Sequence, residues 1–166
     1  MFVEMKVSGL TIDPLTNTPI VILKDLEGKR AVPIWIGLFE ASAIATELEK
    51  ISFSRPMTHD LIRDLLKILD AKVLKIEIVD LRNNTFFACI HLTRNGDTLI
   101  VDSRPSDAIA LALRVNFPIF IDEKVIEKSR NIDFAKKVDE LDKKKTEELK
   151  EFLENLPEED FGKYKM

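Results

Sequence analysis

The stretch Val101-Asp102-Ser103-Arg104-Pro105-Ser106-Asp107-Ala108-Ile109-Ala110-Leu111-Ala112-Leu113 passes from an apolar strand, through a polar turn, into an amphipathic helix. Part of it occurs twice in the chain. Ala43-Ile44-Ala45 followed by Leu48 matches Ala108-Ile109-Ala110 followed by Leu113 at the same spacing. The preceding strands correspond as well, Ile34-Trp35-Ile36-Gly37 against Leu99-Ile100-Val101-Asp102. Further back, Met5-Lys6-Val7 pairs with Leu74-Lys75-Ile76, and the turn Asn17-Thr18 with Asn84-Thr85. A repeat constrains the fold before any single element does. It predicts an α+β fold in which two similar β-β-β-α units, spanning about residues 1–50 and 72–116, form a mixed, mostly antiparallel sheet or split barrel flanked by helices.

Each unit is consistent with that reading locally. Leu74, Ile76 and Ile78 alternate with Lys75 and Glu77, the pattern of a half-buried strand. Asn95-Gly96 is a hairpin signal, because both residues tolerate positive φ. Pro19 and Pro33 point to strand ends or an edge strand, since proline cannot donate to a ladder. Between the units, Thr58 suits a helix N-cap, and Leu61, Ile62, Leu65, Leu66 and Leu69 recur with helical period. Phe117-Pro118-Ile119-Phe120-Ile121 adds a short strand, followed by a helix that Asp122 caps. Residues 1–130 are read as one domain. Residues 131–166 are read as a charged tail forming C-terminal helices, with Val138, Leu141, Leu149, Phe152 and Leu153 packing on the body or on a partner subunit. A homodimer is therefore expected. Lys143-Lys144-Lys145 reads as a solvated face.

A chain of 166 residues, 45% hydrophobic and 33% charged, describes an ordinary soluble domain. No apolar run is long enough to span a bilayer, and no basic-then-apolar leader opens the chain, so no membrane association and a cytoplasmic location are expected. Cys89 is the single cysteine, set in an apolar run, and reads as a small buried hydrophobe. The chain has no glutamine and abundant Lys and Glu, a bias found in proteins from hot environments. Its net charge of −4 argues against general coating of DNA, while a local basic patch remains compatible with nucleic-acid binding.

The candidate chemistry gathers in two places. Arg104, Ser106 and Asp107 open one helix, where unpaired N–H groups favour anions. Asp107 and Ser106 fit simple caps; Asp107 equally fits a metal ligand or a carboxylate that orients water. Ser42 holds the place of Asp107 in the first unit, and Phe39 holds that of Arg104, so the repeat itself requires no cation there. A guanidinium at a helix start suits phosphate; a surface ion pair is the plainer reading. Arg55 and His59 form the second cluster. The His59 imidazole suits either general-base work near pH 7 or a bond that fixes its loop. His91 reads as a sheet-surface residue, and no zinc spacing joins the two histidines. Asp122-Glu123-Lys124 matches a fragment of a metal-nuclease pattern, and equally a helix cap. Glu40 and Glu47 read as surface residues, and Trp35 as core or interface rather than a platform for bases.

The quoted stretch, together with Arg55-Pro56-Met57-Thr58-His59-Asp60-Leu61, resembles the bifunctional nuclease domain family over roughly Met1 to Arg130. The ending Asn155-Leu156-Pro157-Glu158-Glu159-Asp160-Phe161 is similar to tails in that family. The resemblance implies a metal-assisted nuclease acting on DNA or RNA. Under it Asp107, with Asp102 or Asp60, would hold Mg²⁺ or Mn²⁺. His59 would move the proton, with Asp60 as a further catalytic candidate, and Arg55, Arg104 and Ser106 would contact substrate. The alternative is a non-catalytic, oligomeric binding or regulatory module for a small anion or a protein partner.

Overall fold

The computed structural model describes residues 1–130; the expected tail helices and the Lys143-Lys144-Lys145 face lie outside the described residues. The chain runs β1 (Phe2–Ile12), β2 (Pro19–Asp25), β3 (Ala31–Trp35), α1 (Leu38–Leu48), α2 (Thr58–Ile68), β4 (Lys72–Arg82), β5 (Thr85–Arg94), β6 (Asp97–Ser103), α3 (Pro105–Val115), β7 (Ile119–Asp122) and α4 (Glu123–Arg130). Two β-β-β-α units are present, as the repeat predicts, with α2 between them. The strands form one mixed, mostly antiparallel sheet of seven, in the order β3-β2-β1-β7-β4-β5-β6. It is an open sheet with two edges, not a closed barrel.

The turns explain the two meanders. Asn83 and Asn84 both take positive φ between β4 and β5, and Asn95 and Gly96 do so between β5 and β6. Such turns twist with the strands they join. Pro19 begins β2, and Pro33 sits in the edge strand β3 opposite Ile22. Both prolines thus stand where a missing N–H costs little.

β7 joins the halves. It runs antiparallel to β1, with Val3 opposite Ile121, and parallel to β4, with Ile78 opposite the same Ile121. The sequence anticipates a short strand here but not that it occupies the middle of the sheet. Because β1 and β4 flank it in opposite directions, the two meanders are related as by a twofold axis through the sheet. The equivalent helices α1 and α3 pack against each other. Repeat-matched Ile44 and Ile109 are both fully buried in the same apolar core.

Three local expectations change. Leu74 is 43% exposed, because the β4–β5 register shifts between Val73 and Lys75 and breaks the alternation. Thr58 is the first residue of α2 rather than its cap; the cap is Met57, whose N–H donates to Asp60 Oδ2 at 3.1 Å. The apolar stripe of α2 does not enter the core: Leu61, Leu65 and Leu69 are about half exposed, and only Leu66 packs on it. No helix among the described residues is long and apolar enough to cross a membrane.

Candidate functional site

Residues 59 and 107 are far apart in sequence, yet their side chains meet. α2 begins against the start of α3, and His59 Nε2 lies 2.9 Å from Asp107 Oδ1. Asp107 is the third residue of α3, and no side chain caps that helix start. Its carboxylate is committed elsewhere: Oδ1 to His59 and Oδ2 to Arg104 Nε, at 2.7 Å. Simple capping is therefore not the role of Asp107. Burial pushes the Asp107 carboxyl up, but the hydrogen bonds from Arg104 and His59 outweigh it and hold it below the usual carboxylate range.

Arg104 reaches a second anion. Its Nη1 lies 2.7 Å from Glu40 Oε1 on α1, the helix of the other repeat. Sequence reading assigns Glu40 to the surface; its side chain is only 17% exposed. Glu40 lies directly over Gly37, where any Cβ would collide with its carboxylate. The available signal was the repeat, which makes the two helix starts equivalent. A twofold relation brings such positions together.

Asp60 and Arg114 form the brace beneath. Asp60 Oδ2 takes the Met57 N–H, and Oδ1 takes Arg114 Nε at 2.8 Å. Arg114 Nη1 donates to Ala110 O at 2.8 Å, and its side chain is 3% exposed. Burial raises the Asp60 carboxyl, but the Met57 and Arg114 hydrogen bonds prevail and lower it. Asp60 thus locks α2 onto α3, and with both oxygens engaged it positions His59 rather than facing a ligand. Nothing in the sequence singled out Arg114.

His59, Asp107, Arg104 and Glu40 line a cavity of about 620 Å³. The lining also includes apolar Leu38, Phe39, Ala43, Phe53 and Met57. The other expected site residues stand apart. Arg55 is exposed and does not line this cavity. Ser106 is buried and borders a smaller cavity of about 300 Å³ beside Trp35. Asp102 sits on β6 opposite Cys89, away from the cavity wall.

The donor set does not fit a divalent cation. Among the described residues no three His, Cys, Asp or Glu side chains are grouped to hold a metal ion. The space between the cavity's two carboxylates is taken by the Arg104 guanidinium. Asp102 therefore does not complete a site with Asp107.

Elsewhere, Asp122 Oδ1 accepts the Lys124 N–H at 3.0 Å, so Asp122-Glu123-Lys124 is a helix start. Trp35 donates to Asp13 Oδ2 at 3.0 Å and packs on Ile20 and Ile22, a structural role. His91 is more enclosed than a surface residue, with Nε2 2.7 Å from the buried Glu77 carboxylate. Cys89 is half-buried; burial, then Asp102 and Glu77, push its thiol up, away from nucleophilic character.

A family model described as bifunctional nuclease domain matches residues 21–133. An uncharacterized protein of Mycobacterium tuberculosis (strain ATCC 25618 / H37Rv) is 38% identical over 167 residues, covering 95% of this chain and 97% of its own. A rice protein named bifunctional nuclease 1 (Oryza sativa subsp. japonica) is 22% identical over 109 residues, covering 63% of this chain and 33% of its own.

Proposed function

Since the chain belongs to the bifunctional nuclease domain family, we propose that its His59–Asp107–Arg104 cavity hydrolyses phosphodiester bonds of DNA or RNA in the cytoplasm. The observation that carries this reading is the pairing of His59 Nε2 with Asp107 Oδ1 at 2.9 Å on a cavity wall that also holds Arg104. With Nε2–H donated to Asp107, the imidazole keeps its Nδ1 lone pair to accept a proton from water. The water oxygen bonds to phosphorus. The bond to the leaving oxygen breaks, and that oxygen takes a proton from solvent. Asp107 fixes the ring and stabilises the imidazolium that forms. The guanidinium's remaining N–H donors face the growing charge on the phosphoryl oxygens.

No step here passes through a metal ion. Wild type and Asp107→Asn are to be incubated with plasmid DNA and with RNA, each with Mg²⁺, Mn²⁺ or EDTA. Cleavage is expected in all three conditions for wild type and in none for the variant. Equal cleavage by both proteins would remove Asp107 from the chemistry. Cleavage abolished by EDTA would restore the metal-assisted reading. No cleavage by either would favour the binding or regulatory module.

The same proposal includes a homodimer. The uncovered α2 stripe and the edge strand β6, with Leu99, Ile100 and Val101 exposed, support it. Light scattering on the purified chain tests it, and a monomer at all concentrations would exclude it.

A further inference from the structure

Phe39 is 85% exposed, the second residue of α1, on the rim of the cavity that holds His59 and Asp107. It contributes almost nothing to the core. Leu38 beside it is 42% exposed and lines the same cavity. Two adjacent apolar side chains in water cost free energy unless something covers them. Here they border a wall that carries a cation.

The charges show what that something is not. Arg104 is countered by Asp107 and by Glu40. Arg114, the other cation on this cavity, is enclosed and paired with Asp60. Duplex binding draws on many phosphate contacts along two backbones, and this cavity presents a single accessible guanidinium in a chain of net charge −4. Affinity must come from the apolar lining of the cavity. An aromatic face, a nearby cation and a chamber of about 620 Å³ suit one nucleotide whose base is out of the duplex.

We propose that Phe39 is a stacking platform for an unpaired base, so that the substrate of this cavity is single-stranded nucleic acid. This rests on the hydrolytic reading above. The base lies on Phe39 while its phosphate meets Arg104. The two residues align in the sequence repeat, Phe39 as the second residue of α1 and Arg104 as the residue just before α3, so the two repeated segments supply the platform and the cation.

The test uses the full chain and a short fluorescent oligodeoxynucleotide, either single-stranded or folded as a hairpin duplex. Binding is read by anisotropy and cutting by gel, for wild type, Phe39→Ala, Phe39→Trp and His59→Gln. Wild type is expected to bind and cut the single strand about tenfold or more better than the duplex. Phe39→Ala should lose about tenfold or more in binding, Phe39→Trp should retain it, and His59→Gln should bind but not cut. The salt dependence should be shallow, with a log–log slope of about −0.7, as for one phosphate contact on a single strand. Binding and cutting unchanged in Phe39→Ala, or duplex handled as well as single strand, overturns the proposal. If no variant cuts but binding still depends on Phe39, the platform stands and the hydrolytic reading falls. If cutting occurs independently of Phe39, the reverse holds.

Discussion

His59 Nε2 and Asp107 Oδ1 are 2.9 Å apart across 48 positions of sequence. In the proposed reaction that bond fixes the orientation of the His59 ring. Removing either member should therefore remove most of what the pair does. Asp107→Asn and His59→Gln are each expected to lower kcat about 10²–10⁴-fold. The double variant should be little worse than either single one, because residues acting as a unit are not additive. Multiplicative losses would show that the two act separately.

Asp60 is expected to matter for stability before activity. Its carboxyl is lowered in the folded state, first against the raising effect of burial, by hydrogen bonds from Met57 and Arg114. A lowered folded pKa means stability that is present above the unfolded value of about 3.9 and lost as pH falls through the folded one. Asp60→Asn should cost about 3 kcal/mol at pH 7, because it leaves the enclosed Arg114 without its anion. Urea unfolding should show that gap narrowing below about pH 4. A gap independent of pH would deny the ion pair its role.

Glu40 Oε1 engages Nη1 of the exposed Arg104 and competes with other anions for it, and Gly37 leaves the room for that carboxylate. Glu40→Gln should free guanidinium donors and lower KM several-fold. Gly37→Ala, which forces the carboxylate aside, should act in the same direction. A rise in KM for both variants would mean that Glu40 serves to aim Arg104 rather than to restrain it.

Ile121 is fully buried and belongs to the strand between the two meanders. Ile121→Ala should cost about 2–5 kcal/mol. The loss should appear as one cooperative transition in circular dichroism and fluorescence alike, since both halves share the core. Two separated transitions would mean that the halves are independent.

The duplicated β-β-β-α unit was legible because Ala43-Ile44-Ala45 and Ala108-Ile109-Ala110 both bury the same helix face, and a shared environment preserves a shared pattern. The Arg55–His59 and Arg104–Asp107 segments were legible as two polar clusters; that His59 and Asp107 meet is read from the packing of α2 on α3, and Arg55 itself stays outside the cavity. Three things were not legible. Glu40 looks like any acid in a first helical turn until α1 and α3 are packed together. Arg114 looks like a C-terminal surface cation until Asp60 is seen opposite it. The α2 stripe has the periodicity of a core helix, and periodicity records an apolar face without saying what covers it.

The place of β7 also bears on how the chain is made. Among the described residues, the two meanders meet in the sheet only through a strand at positions 119–122. Synthesis therefore delivers both halves before the piece that joins them, and until Ile119 leaves the ribosome β1 and β4 each present an open edge. For that interval the nascent protein is a pair of unfinished sheets exposed to wrong partners. Any truncation ending before this strand should yield aggregate rather than a smaller domain.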